Sequence, residues 1–262
     1  MLTYPEIDPI IFQLGPLAVR WYGLMYLLGI GAGWLLLHQR CRRADIIWQK
    51  QQVDDLVFYA TLGVVLGGRV GYVLFYNLQT FWDDPIYLFR VWQGGMSFHG
   101  GLLGVLLAMW LLARREGQSF FTVTDFLAPV VPLGLLAGRI GNFINGELWG
   151  GPTDLPWGMQ VSGSALPLHP SQLYEAGLEG VVLFVLLWWY SSKPRPRMAI
   201  SALFLLGYGC FRFAVEFVRL PDYDIGYLAF GWLTMGQLLS LPMIVFGVYL
   251  WQCSRAYTGQ EN

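Results

Sequence analysis

The run Leu17–Leu37, LAVRWYGLMYLLGIGAGWLLL, carries a single charged side chain, Arg20. About 20 mostly apolar residues are enough for a helix to cross the hydrocarbon core of a bilayer. Six further runs of the same kind follow: Leu56–Asn77, Met96–Ala113, Val123–Ile144, Ser171–Tyr190, Ala199–Val218 and Phe230–Cys253. The pattern predicts an all-α, polytopic membrane protein with seven transmembrane helices, residues 1–262 forming one integral-membrane domain. Pro129 and Pro132 predict a kink in the fourth span; Glu175 and Glu179 make the fifth the least apolar. Composition agrees. Of 262 residues 55% are hydrophobic and only 13% charged, with a mean hydropathy of +0.48, whereas soluble domains carry about 25% charged residues. A soluble enzyme and a disordered chain are excluded, and a net charge of −1 lacks the basic excess of a nucleic-acid binder.

The loops give the orientation. Arg40, Arg42, Arg43, Lys50, Arg114, Arg115, Lys193, Arg195, Arg197 and Arg255 fall on one side; only Arg20, Arg90 and Arg219 fall on the other. Cytoplasmic loops hold the excess of Lys and Arg, so the N-terminus is expected outside, in the periplasm, and the C-terminus in the cytoplasm. The first residues, through Pro16, carry Glu6 and Asp8 without a positive n-region, so no cleavable signal is expected. The longest outer segment, 145–170, has no Lys or Arg and is rich in Gly, Pro and Trp; it is expected to form a small periplasmic cap. A second outer segment, 78–95, is aromatic. Cys41, Cys210 and Cys253 are scattered and suggest neither a disulfide framework nor a zinc site.

Ionisable groups inside spans are costly and point to function. Arg69, Arg139, Glu179, Arg212 and Glu216 stand out, with His99 near the outer end of the third span. With the expected orientation Arg139, Arg212, Glu216 and His99 share the outer leaflet, and Tyr26 lies mid-span. Tyr208, Arg212 and Glu216 recur at i, i+4 and i+8 on one helix face. They read either as a self-satisfied ion pair or as an anion clamp in which Glu216 holds Arg212, whose planar fork suits phosphate. Arg69, in Gly67-Gly68-Arg69-Val70-Gly71, is expected to be structural and to pair by depth with Glu179; Glu175 is expected to cap the fifth span or face the outer cap. His99, with an intrinsic pKa of about 6.5, is the best candidate base. Ser97, two residues before it, hints at a nucleophile without the G-x-S-x-G context that would support one.

The densest polar segment is Gly138-Arg139-Ile140-Gly141-Asn142-Phe143-Ile144-Asn145-Gly146-Glu147-Leu148-Trp149-Gly150. A cation, two amides and a carboxylate at a membrane exit exceed what a helix cap needs, and four glycines allow close backbone approach. This run resembles the signature of the bacterial phosphatidylglycerol–prolipoprotein diacylglyceryl transferase family. The resemblance extends to Phe98-His99-Gly100-Gly101, to His169-Pro170-Ser171-Gln172-Leu173-Tyr174-Glu175, and to Tyr208 with Arg212 and Glu216.

The resemblance implies an enzyme of the bacterial inner membrane. It would transfer the sn-1,2-diacylglyceryl group of phosphatidylglycerol to the lipobox cysteine thiol of a prolipoprotein, forming a thioether and releasing glycerol 1-phosphate. Its partners are then phosphatidylglycerol, the prolipoprotein signal peptide and the membrane, with no nucleic acid, metal or cofactor. On this reading Arg139 and Arg212 hold the phosphate, Glu216 orients Arg212 and His99 takes the thiol proton. Tyr26, Asn142, Glu147, Gly150 and Tyr208 shape the headgroup pocket, and His169 organises the cap. Two other classes share part of the pattern: a transporter or flippase for an anionic lipid, which intramembrane arginines would suit, and an intramembrane serine protease using Ser97 or Ser171.

Overall fold

A computed structural model describes residues 2–15, 17–221 and 226–258. The described chain is mostly helical and divides into two compact units, Met1–Leu36 with Asp125–Asn262, and Leu37–Thr124. Five helices are long and apolar enough to cross a membrane: Trp21–Arg40, Lys50–Tyr76, Phe120–Ile144, Ser171–Tyr190 and Met235–Ala256. Two of the seven expected spans are shorter, as the helices Phe98–Arg115 and Ala199–Val215 of 18 and 17 residues. At about 1.5 Å per residue such helices fall short of, or barely reach, a hydrocarbon core of about 30 Å. The helical expectation holds for most of the described chain, with four short strands among the described residues. Leu2–Thr3 (β1) pairs in parallel with Met159–Gln160 (β4), and Ile10–Leu14 (β2) pairs antiparallel with Leu17–Arg20 (β3). The strand β3 takes the first residues of the expected first span, so the helix α1 begins only at Trp21 and ends at Arg40.

In the second unit, α2 (Lys50–Tyr76) and α4 (Phe98–Arg115) flank a short helix α3 (Leu78–Asp83) and two 3-10 turns. Glycines set the approach of α2 and α4. A Cβ on Gly71 would stand 2.7 Å from Gly100 Cα, and one on Gly67 would run into Gly100 O. Small residues of this kind let membrane helices touch backbone to backbone. Arg69 is buried here, and its partner corrects the expected pairing with Glu179. Its guanidinium donates to the carbonyls of Leu88 (3.0 Å), Tyr87 (2.6 Å), Gly94 (2.5 Å) and Gly95 (3.3 Å) and lies over the Tyr87 ring. Arg69 therefore tethers segment 78–95 through its backbone.

The helix α5 (Phe120–Leu127), whose last residues open the second stretch of the first unit, is joined to α6 (Val131–Ile144) by a 3-10 turn at Ala128–Val130, where the prolines predict a kink. Further along, α7 (Ser171–Glu175) opens into a π-helical stretch, Ala176–Val182, and closes as α8 (Leu183–Tyr190). The helix α9 (Ala199–Val215) starts on Asp125, whose carboxylate accepts from the Met198 and Ser201 amides (2.6 and 2.7 Å) and from the Ser201 hydroxyl (2.6 Å). That cap satisfies amides at the helix N-terminus and complements its dipole. The last helix, α10 (Met235–Thr258), packs on α9 where Gly209 meets Ile244. A core of Ala128, Leu183, Leu187 and Ile200, with Phe204 and Tyr208 against it, joins α8 and α9 to the 3-10 turn.

Segment 145–170 is pinned at both ends. Tyr4 donates to Phe143 O (2.8 Å) and packs edge-on against Phe143 and Trp149. At the other end the Trp157 indole N–H donates to the Tyr174 hydroxyl (2.8 Å), which lies 3.1 Å from His169 Nδ1. That oxygen accepts from Trp157 and keeps a proton and a second lone pair with which to bond His169 Nδ1. Burial pushes the His169 imidazole below its ordinary value. The folded value then lies under the unfolded one, so the unfolded chain binds more protons and stability falls as pH drops below about 6.5. We expect the Tm in detergent to fall between about pH 7.5 and about pH 5.5, and to fall less in His169→Gln; equal drops in the two proteins would show that this latch does not sense protons.

Candidate active site

Three arginines meet on one carboxylate. Glu175, the last residue of α7, is fully buried. Its Oε1 accepts from Arg212 Nη1 (2.5 Å) and Arg219 Nη1 (2.9 Å), and its Oε2 lies 3.1 Å from Arg139 Nε. Arg139 comes from α6, Arg212 from α9, and Arg219 from the turn that follows it. Two further carboxylates complete the set: Glu216 Oε2 is 2.7 Å from Arg212 Nη2, and Glu179 Oε2 is 3.8 Å from Arg139 Nη2. Three guanidinium groups thus face three carboxylates. Glu175 and Glu179 are four apart across the start of the π-helical stretch, and both turn toward α6. Gly180 makes that possible, since a Cβ there would stand 2.7 Å from Leu136 Cβ of α6. Close below Glu216 lies Gly236, where a Cβ would stand 2.6 Å from the carboxylate.

The run 138–150 forms the end of α6 and a polar turn beside this cluster. Arg139 Nη1 reaches Asn142 Oδ1 at 3.5 Å, and the Asn142 amide donates to Glu147 Oε1 at 2.8 Å; Asn145 donates to the same oxygen at 3.2 Å. Leu148 holds a left-handed backbone, φ 63°, a conformation unusual for a residue with a Cβ. Two buried side chains fix it: Ser171 donates to Leu148 O at 2.7 Å, and Gln172 donates to Glu147 O. Gly150 follows, its N–H on His169 O (2.9 Å), with Gly151 N–H on Val218 O (2.9 Å). A Cβ on Gly150 would stand 2.7 Å from His169 Cβ. The turn, the His169 segment and the Val218–Arg219 strand-like pair are therefore stacked backbone on backbone, which sets the position of Arg219.

Of the residues singled out from sequence, the first unit gathers Arg139, Asn142, Glu147, Arg212 and Glu216 into one continuous polar network with Glu175. Tyr208 lies one turn before Arg212, stacked on Phe204, within electrostatic reach of Arg139, Arg212 and Glu179. Tyr26 is exposed, its hydroxyl 3.2 Å from that of Tyr22, and α1 approaches α6 where Tyr22 meets Gly141 and Tyr26 meets Gly138. Gly150 bonds only through its backbone. His99 belongs to the second unit, exposed on the first turn of α4, and is not among the side chains gathered here. Ser97 accepts from the Gly100 amide as the cap of α4, and Ser171 is buried on a carbonyl; both hydroxyls are engaged with backbone, which weakens the serine-protease reading. The sequence reading missed Glu175 as the hub, and with it Arg219, which was assigned to a loop. The signal was present: a carboxylate four residues before another inside an apolar run, and an arginine seven residues after Arg212 in a chain poor in charge.

Comparison with known proteins gives the family. A family model described as prolipoprotein diacylglyceryl transferase matches residues 9–253. A protein of Methylococcus capsulatus named phosphatidylglycerol–prolipoprotein diacylglyceryl transferase is 64% identical over 252 residues, covering 95% of this chain and 96% of that one. Proteins of the same name from Pseudomonas aeruginosa and Legionella pneumophila are 60% and 59% identical, covering 95% and 97% of this chain and 94% and 100% of their own. The chain belongs to the prolipoprotein diacylglyceryl transferase family.

Proposed function

We propose that the arginine cluster of the first unit is where this enzyme holds the phosphate of phosphatidylglycerol while the diacylglyceryl group moves to the lipobox cysteine of a prolipoprotein. The transfer is the first step of lipoprotein maturation. The observation that carries the proposal is the convergence of Arg139 and Arg212, from different helices, on a common anion at 3.1 and 2.5 Å. Groups already spaced around a carboxylate are spaced for a phosphate, which offers similar oxygen geometry to a guanidinium fork.

In the reaction a sulfur–carbon bond forms at the glyceryl carbon that carries the phosphate, and the carbon–oxygen bond to that phosphate breaks. The bonding pair leaves with the oxygen, turning a phosphodiester into the monoester of glycerol 1-phosphate. As the thiol proton departs, the leaving group gains up to one negative charge. Fixed cations aimed at that charge lower the barrier without reorganising at the moment of reaction. A cysteine thiol is mostly protonated at neutral pH, so a base assists. His99 is the proposed base, on its chemistry. Asn142 and Glu147 hold Arg139 from the outer side, Glu216 holds Arg212, and Tyr26, Tyr208 and Gly150 shape the headgroup pocket. The same reading makes the protein one membrane-embedded domain of seven spans in the bacterial inner membrane. Segment 145–170 is then a periplasmic cap, with the N-terminus periplasmic and the C-terminus cytoplasmic, so the exported cysteine and the cluster share the outer leaflet.

Two measurements test it, both by glycerol phosphate release from phosphatidylglycerol with a lipobox peptide. Arg212→Lys keeps the charge and loses the fork, so kcat/KM should fall on the order of 100-fold, the loss seen when a preorganised donor is removed from a developing oxyanion; turnover at the wild-type rate would dismiss the phosphate clamp. His99→Gln should slow the reaction, whereas an undiminished rate across the pH range would take His99 out of the mechanism.

A further inference from the structure

The place between Arg139 and Arg212, where a lipid phosphate would be sought first, is already filled by the Glu175 carboxylate. That carboxylate is 0% exposed, while the side chains of Arg139, Arg212 and Arg219 are 18%, 14% and 10% exposed. The anion is therefore fully buried, while the arginine side chains that hold it keep partial exposure. One terminal nitrogen each of Arg212 and Arg219 donates to its Oε1, while Arg139 Nε stands 3.1 Å from its Oε2 as an ion pair.

Charge adds a second constraint. A phosphate pocket lined by three uncompensated arginines would hold a phosphate monoester tightly, and the product proposed above is more highly charged than the donor lipid. Here Glu175 contacts all three arginines and Glu216 contacts Arg212, so much of the guanidinium charge is offset from within the protein. Buried like charges would also push the three guanidiniums apart if no anion stood among them.

We propose that Glu175 is a positioning residue for the transferase: an internal anion that spaces three arginines for the phosphate in front of them and, by offsetting their charge, lets the phosphate product leave. It acts through the arginines and does not touch substrate. The proposal rests on the phosphate reading of the cluster given above.

The test compares wild type, Glu175→Gln, Glu175→Asp and Arg212→Gln as full-length protein in detergent with phosphatidylglycerol and a lipobox peptide. It measures kcat, KM and inhibition by added glycerol 1-phosphate. In Glu175→Gln the shape is kept and one negative charge is lost. We expect kcat to fall at least about tenfold while glycerol 1-phosphate inhibits about tenfold more tightly, a change of about 1.4 kcal/mol. A residue that merely supports the fold would weaken both turnover and product binding, so an unchanged or weaker inhibition constant in Glu175→Gln overturns the proposal. If Glu175→Gln does not fold, Glu175→Asp decides: it keeps the charge and withdraws it, so kcat should fall while the inhibition constant stays within about twofold of wild type. Wild-type kcat in Glu175→Asp would overturn the spacing role. Arg212→Gln separates the two levels. If product inhibition of the wild type does not depend on Arg212, the phosphate reading itself fails; if it does and Glu175→Gln shows no tightening, only the role of Glu175 fails.

Discussion

A single carboxylate inside an apolar protein cannot be left alone, and neither can a guanidinium; Glu175 and its three arginines settle both requirements at once. Taking one partner from a buried ion pair costs about 3–5 kcal/mol, because the other is left desolvated and unmatched. The cluster thus ties α6, α7 and α9 together by the penalty of separating them. Each of the three helices contributes a charge that is only tolerable while the others stay in register. Glu179 shows the limit of the arrangement. Both its oxygens are buried without a hydrogen-bond partner among the described residues, and its contact with Arg139 is 3.8 Å.

Much of the remaining sequence in the first unit serves to keep that register. Asp125 starts α9 and so fixes the phase at which Arg212 and Glu216 emerge. Ser171 and Gln172, the residues just before the hub, hold the backbone of the Glu147–Leu148 turn, so the turn that presents Glu147 to Asn142 is anchored to the helix that presents Glu175 to Arg139. The left-handed Leu148 is the strained point of that turn, and strain of this sort persists where surrounding contacts over-determine the backbone. Gly150 completes the frame by letting the His169 and Val218 backbones approach without a side chain between them.

Membrane character, the helical fold and the pairing of Arg212 with Glu216 were legible from the sequence, because hydropathy and helical spacing are local properties. The break at Pro129 and Pro132 was legible for the same reason, as a missing backbone donor. What local reading could not supply was the partner of a charge. Arg69 and Glu179 sit at comparable depth by counting residues, yet Arg69 is satisfied by carbonyls contributed by its own unit and Glu179 stands nearest Arg139. Carbonyls have no sequence signature, so an arginine that binds them looks unpaired in the primary structure. Glu175 was obscured differently. Its position at the start of a span gave it the appearance of a helix cap, and only the meeting of three helices reveals it as a hub. Helix ends shifted by a few residues, as at Leu17–Arg20, where a strand pair claims residues that are apolar enough to have continued the helix.

The grip of Arg69 on Tyr87, Leu88, Gly94 and Gly95 has an evolutionary corollary. A carbonyl oxygen is the same whatever side chain it belongs to, so the hydrogen bonds read chain path, and only at Tyr87 does Arg69 also meet the side chain of a residue whose carbonyl accepts its bond, through the ring. Only Gly94 and Gly95, with φ of 78° and 83°, are restricted by the conformation they must adopt. The exposed side chains of Trp82, Phe89 and Trp92 take no part in these hydrogen bonds, so the character of that surface can change without loosening its moorings.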